Sequence, residues 1–295
     1  MIMRTFAAIG AIGFLSACAN EVPGPVSFAE ALDREAAHLV VHFAPSTGFA
    51  HPLGHDGEIE SGSAFEPDEM TGVTAELMKA FAAWVESTRG LDVTLTFEAE
   101  PRWAVFYERV RDADPGVFGL GNVTITEERR GELAFSPPYL ANVATLITHE
   151  DAPELDALSA ISEAFRGMTG LLYPGTLHEV RLEALRDERF PEMPTVEVET
   201  NDELVARAAS GEGYFGYIDI YNYWRAVEEG RPLRRHAVAD DASETFGIIM
   251  PRGSDWAPVM DAFFEAHDGI LGTEWYGALL EEHLGAALAD MLHGS

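Results

Sequence analysis

GNVTITEERRGELAFSPPY, residues 121–139, is the stretch whose reading decides the fold. Short polar side chains (Asn122, Thr124, Thr126) precede an arginine, Arg129, and an apolar run with a double proline follows, Leu133–Phe135 and then Pro137-Pro138-Tyr139. Hydroxyl residues at a strand end, opening a helix with an arginine one turn in, suit the grip of a carboxylate. The first backbone N–H groups of a helix lack partners and point outward, and the guanidinium fork adds two parallel charge-assisted hydrogen bonds.

Outward from that stretch, short strand and helix patterns alternate. His38–Ala44 reads as an apolar strand, and a long polar loop from Pro45 to Met70 follows it. Gly72–Val85 has a helical apolar face formed by Val73, Leu77, Phe81 and Trp84. Strand patterns then fall at Asp92–Ala99, Val117–Val123 and Val143–Thr148, with helical patterns at Trp103–Arg111 and from Thr126. The rhythm restarts after residue 143 with helix 155–165, strand 168–173, helix 177–189, strand 195–198, helix 202–209 and strand 214–218. A Tyr/Trp-rich helix, strands near 236–238 and 246–250, and helices at 256–267 and 274–284 close the chain. Repeated βα units imply mostly parallel sheets with helices on both faces, and the restart implies two of them. Ligands in open α/β sheets bind at the carboxyl ends of strands.

Composition narrows the function classes. Fifty acidic residues face 19 basic ones, and Lys79 is the only lysine. So acidic a surface repels phosphates and excludes a general nucleic-acid role. It either attracts cationic solutes or keeps the protein solvated in a salty medium, and its even spread along the chain favours the second. The apolar run Phe6–Leu15 after Arg4 is too short to span a bilayer and ends in Leu15-Ser16-Ala17-Cys18. That box resembles a bacterial lipoprotein processing site. It makes residues 1–17 a signal peptide, Cys18 the lipidated (palmitate-bearing) residue and residues 18–37 a tether to the membrane. Cys18 is the only cysteine, so no intrachain disulfide forms. His51, His55, Asp56 and Glu58 have metal-ligand identities, but Pro52 and Gly54 oppose the helix that would align them, so no metal is expected. No Gly-x-Ser-x-Gly, P-loop or His-Glu-x-x-His occurs, and no cofactor is expected.

The stretch 121–139 resembles the ligand-gripping segment of the bacterial extracellular solute-binding protein family 3, the polar-amino-acid-binding proteins of ABC importers. Six further motifs resemble that family in its order: Met70–Leu77, Pro101-Arg102-Trp103, Phe165–Thr176, Tyr217-Ile218-Asp219, Phe246–Ser254 and Leu271–Tyr276. The resemblance implies an α/β, two-lobed fold in which each lobe is a mostly parallel sheet flanked by helices, joined by two hinge strands. Lobe 1 would be 38–142 with 247–295, and lobe 2 would be 143–246. It implies Arg129 on the ligand α-carboxylate, Asp219 on its α-ammonium, contacts from Asn122 and Thr124, a cap from Thr176 or Leu177, and stacking by Phe49 and Trp103. ABC permease subunits would be the partner. Two departures stand out: Thr74 replaces the usual acid, and Gly116-Val117-Phe118 replaces an acid-led strand. A sensor-type binding module, or an enzyme on the same fold (dehydratase-like or murein-lyase-like) using Glu244 or Glu76, are the alternatives.

Overall fold

A computed structural model describes residues 24–55, 57–266 and 269–293. Residues 1–17, read from the sequence as a signal peptide, Cys18 and Asp56 lie outside the described residues. In chain order the elements are α1 (Phe28–Arg34), β1 (Ala36–Phe43), β2 (His51–Pro52), β3 (Ala64–Phe65), β4 (Met70–Thr71), α2 (Val73–Arg89), β5 (Asp92–Ala99), α3 (Trp103–Arg111), β6 (Val117–Thr124) and α4 (Glu127–Arg130). They continue with β7 (Leu133–Phe135), β8 (Leu140–His149), α5 (Ile161–Ala164), β9 (Thr169–Leu172), α6 (Leu177–Arg189), β10 (Thr195–Glu197), α7 (Asn201–Ala208) and β11 (Tyr214–Asp219). The last are α8 (Ile220–Glu228), β12 (Leu233–Pro251), α9 (Ala257–Ala266), α10 (Glu274–Leu284) and α11 (Ala286–His293).

One continuous sheet runs β10-β9-β11-β8-β12-β6-β1-β5-β3. Parallel pairing holds β5, β1 and β6 together at one end and β10, β9 and β11 at the other. Within this sheet antiparallel pairing is confined to ladders that involve β8, β12 or the edge strand β3, and β2 and β4 form a separate antiparallel pair. Strands β8 and β12 cross between the two halves, and their register sets Asn142 opposite Glu244 and Leu140 opposite Phe246. The lobes are thus hung on two adjacent strands, an arrangement suited to hinge motion.

Each half has its own core. Phe43, Phe81, Phe97, Phe118, Trp256 and Phe263 fill the first. Phe165, Leu182, Phe190 and Phe215 fill the second. Helix α2 starts at Gly72, whose φ is +111°, and a Cβ there would sit 2.5 Å from the Phe49 backbone. Only glycine lets the loop pack that closely on the helix start.

The structure departs from the sequence reading in three places. Residues 28–34 are helix rather than tether. Ser27 and Glu30 form a capping box, Asp255 accepts the N–H groups of Phe28 and Ala29 at 2.8 and 3.0 Å, and Trp256 Nε1 donates to the Val26 carbonyl at 2.8 Å. The two strands read near 236–238 and 246–250 are one 19-residue strand, β12, bent by two register shifts. The helix read over 155–165 contracts to a 3-10 turn at Leu158–Ala160 and the single turn α5.

Candidate functional site

The chain brings Trp103, Asn122, Thr124, Arg129, Thr176, Leu177 and Asp219 around one small chamber, with Gly121, Tyr173, His178, Asn201 and Tyr221. Its volume is about 30 Å³, roughly the share of one water molecule. Lobe 1 contributes the end of β6, the start of α3 and α4. Lobe 2 contributes the start of α6, the junction of β11 and α8, and the start of α7. The chamber therefore lies between the lobes.

Arg129 is held as a cation without a carboxylate among the described residues. Its Nη1 donates to the Thr124 carbonyl at 3.2 Å, and its Nη2 donates across the cleft to the Gly175 carbonyl at 3.4 Å. Its guanidinium carbon stands 5.0 Å from the Trp103 ring centroid and 5.6 Å from that of Tyr107. Those two rings stack at 5.3 Å, so the cation rests on an aromatic floor. Desolvation, the largest influence on it, lowers its pKa from the usual arginine value, but an arginine stays charged. Thr126 caps α4 by accepting the Arg129 N–H at 3.1 Å. Because α4 is a single turn, the guanidinium rather than a set of helix amides is the group it presents for an anion.

Asp219 is buried at the N-cap position of α8, yet its side chain makes no cap bond. Its Oδ1 instead accepts from Asn142 Nδ2 at 2.5 Å and stands 3.4 Å from His178 Nε2. Asn142 Nδ2 also donates to Glu244 Oε2 at 2.9 Å. Glu244 in turn pairs with Arg181, which also pairs with Asp241 at 3.0 Å. A network Arg181–Glu244–Asn142–Asp219 thus runs from the hinge strands into the chamber. Glu76, the other candidate acid, pairs with Lys79 at 2.7 Å on the first turn of α2 and is not among the chamber residues.

Three sequence-derived expectations change in detail. Phe49 is fully buried one layer below the chamber, 4.5 Å from the Tyr221 ring, and its carbonyl accepts the Thr74 hydroxyl at 2.9 Å. It supports Tyr221 and lines no cleft surface, because the 46–50 turn folds back onto α2. Asn122 has left-handed φ of +50°. Its side chain is locked between the Tyr139 and Tyr221 hydroxyls, each at 2.7 Å, so its backbone is what it has left to offer the chamber. The Thr176 hydroxyl donates to the Tyr173 carbonyl at 2.7 Å and accepts the Glu179 N–H at 3.3 Å. That leaves the first amides of α6, at Leu177 and His178, as the orphan donors beside the chamber.

Sequence reasoning missed His178, Tyr173, Asn142 and Asn201. His178 follows Thr176 by two residues, so the turn that flagged Thr176 was its only signal. The long 45–70 loop does line the cleft. Its residues 45–47 and 57–59 wall a second compartment of about 550 Å³ that shares Trp103, Asn122, Tyr173, Asn201 and Tyr221 with the chamber. His51 and His55 stand 6.5 Å apart, ring to ring, and His55 Nε2 meets the Glu58 carbonyl at 3.3 Å. Among the described residues no three His, Cys, Asp or Glu side chains converge as a metal site.

No protein-family model and no curated protein matches the chain. Solved structures do match its fold. The arginine-, lysine-, histidine-binding protein of Geobacillus stearothermophilus superposes with a TM-score of 0.62 at 18% identity, over 84% of this chain and 95% of that one. The amino acid ABC transporter substrate-binding protein of Streptococcus pneumoniae, solved with L-arginine, gives 0.61 at 18% identity over 88% and 97%. An ancestral amino acid-binding protein, a precursor of cyclohexadienyl dehydratase, gives 0.65 at 17% identity over 87% and 98%. The chain therefore has the two-lobed α/β fold of these amino-acid-binding proteins.

Proposed function

We propose that the protein is an extracytoplasmic solute-binding protein that captures a small zwitterion, an α-amino acid, and delivers it to an ABC importer. One observation carries this reading. A cation with no carboxylate partner among the described residues, Arg129, and a buried carboxylate, Asp219, line one chamber from opposite lobes. A zwitterion needs that pair of charges in a water-poor cleft.

In this reading the guanidinium fork of Arg129 takes the α-carboxylate, assisted by the backbone amides of Leu177 and His178 at the start of α6. Asp219 takes the α-ammonium, with Asn142 fixing the carboxylate's orientation. Trp103 and Tyr221 flank the solute. The backbone of Asn122 and the Thr124 end of β6 form the chamber floor, and Thr176 shapes the turn that caps it. A chamber of about 30 Å³ admits no amino acid until the lobes part, so capture is a hinge cycle about β8 and β12. The lobes divide at 142/143 and 246/247, and Cys18 anchors the protein to the membrane through lipid.

Binding is favoured over catalysis on the same fold. Glu244, the candidate acid that joins the chamber network through Asn142, is committed to Arg181 and Asn142, whereas general acid–base work needs a group free to exchange its proton with a substrate. A melting-temperature screen against the common α-amino acids tests the proposal. A ligand that binds only the folded state raises the melting temperature, by the equivalent of about 2.7 kcal/mol at a hundredfold excess over Kd. A rise with an α-amino acid is the expected outcome, and none with any of them contradicts the reading.

A further inference from the structure

The outer compartment is far larger than a single amino-acid side chain. At about 550 Å³ it falls in the range of about 300–1,000 Å³ that encloses a drug-sized ligand. It adjoins the inner chamber, with which it shares Trp103, Tyr173 and Tyr221 as lining residues. A head group clamped by Arg129 and Asp219 would send its side chain into this space.

The polar groups of the compartment are specific. Asn222 is 2% exposed, lines the compartment, and its Nδ2 donor has no partner among the described residues. Asn201 lines both spaces, and its buried Oδ1 acceptor is equally unpartnered. Buried polar atoms without partners are uncommon and costly in a native fold. A free donor and a free acceptor among the lining residues complement an amide, whose carbonyl accepts from Asn222 and whose N–H donates to Asn201. Ile59, Pro101 and Ala206 offer apolar surface for the methylenes on either side.

Charge argues against an anionic tail. Arg225 is matched by Asp202 at 2.9 Å and Glu229 at 3.7 Å, and Arg102 by Glu100 at 3.1 Å. Glu58 and Glu199 line the same space without an ion pair among the described residues, but both are solvent-exposed and their pull on a cation is screened. The buried amide of Asn222 therefore outweighs them.

We infer that the ligand is an α-amino acid whose side chain is extended through a neutral secondary amide, seated in the outer compartment on Asn222 and Asn201. The inference rests on the amino-acid reading of the inner chamber. Titration calorimetry of the full chain with Nε-acetyllysine and N5-ethylglutamine, against lysine and glutamine, tests it. The extended ligands should bind at least about tenfold more tightly than their parents, in keeping with a satisfied buried amide. Asn222→Leu should remove that gain and leave the parents' affinity unchanged. If the parents bind and the extended ligands bind no better, the inference falls while the inner-chamber reading stands. If none of the four binds, nor any other amino acid, both fall. The wild-type series decides this whether or not Asn222→Leu folds, and a gain that survives in a folded Asn222→Leu protein overturns the assignment to Asn222.

Discussion

Arg129 reaches across the cleft to Gly175, its Nη2 donating to the glycine carbonyl at 3.4 Å while the guanidinium lies on Trp103. The cation offered to a solute is thus also a contact between the lobes. In the proposed function, ligand grip and lobe closure share one side chain, so a solute carboxylate arriving at Arg129 would stabilise the same geometry that shuts the chamber.

Gly175 is the matching element on the other lobe. Its φ is +78°, and a Cβ there would stand 3.4 Å from the Ala104 Cβ and 3.6 Å from the Trp103 ring. Gly175→Val adds strain of about 1–2 kcal/mol and holds the lobes apart. Ligand affinity is expected to fall by more than tenfold with a smaller loss of folding stability, as read by calorimetry beside urea unfolding. Undiminished affinity would show that closure does not need this contact.

Asn142 separates two carboxylates, donating to Asp219 at 2.5 Å and to Glu244 at 2.9 Å. Asn142→Asp replaces the shared donor with a third acid. The crowding raises the pKa of one of the three in the folded state. Its contribution to stability is then intact below the ordinary carboxylate range and lost as pH rises through the elevated value. The variant should be less stable than wild type by about 2–4 kcal/mol at pH 7 and recover part of that at pH 4.5. Equal urea midpoints for the two proteins at pH 7 would refute the bridging role.

His236 gives the fold an acid limit away from the site. Burial, with Arg234 as a smaller influence, pushes its pKa down from 6.5 to about 4. It accepts the Leu155 N–H at Nδ1 (3.3 Å) and meets the Thr148 hydroxyl through Nε2 (2.9 Å), an arrangement for the neutral ring. The folded value lies below the unfolded one, so this stability is present above pH 6.5 and is lost as pH falls towards 4. By pH 5 the loss is about 1–2 kcal/mol. His236→Gln should flatten the pH dependence of urea unfolding between pH 7 and 5, and an unchanged slope would contradict this.

Much of the fold was legible because its signals are local. Alternating strand and helix periods, Gly72 before α2 and the Thr caps of α4 and α6 lie within a few residues of what they determine. Arg129, Trp103 and Asp219 were likewise marked by short motifs. The rest depends on topology. Asn142 meets Asp219 and Glu244 only because β8 lies between β11 and β12, and no local pattern encodes that neighbour relation. Phe49 was read as a cleft ring, but the turn at 46–50 folds back to give α2 its first hydrogen bonds, which carries the ring under Tyr221. Helix α1 follows Pro23 and Pro25 and spans seven residues, too short for periodicity to register against that tether-like composition. Its local cap is the Ser27–Glu30 box, and two more of its first amides are taken by Asp255, more than two hundred positions away.

The most direct test of the zwitterion clamp is calorimetric titration of wild type, Arg129→Ala and Asp219→Asn with whichever α-amino acid raises the melting temperature. Losing one partner of a desolvated charge pair weakens binding by about 2–5 kcal/mol. Both variants should therefore lose at least about thirtyfold in affinity while keeping the wild-type circular dichroism spectrum. A folded Arg129→Ala protein that binds the amino acid as tightly as wild type would contradict the account.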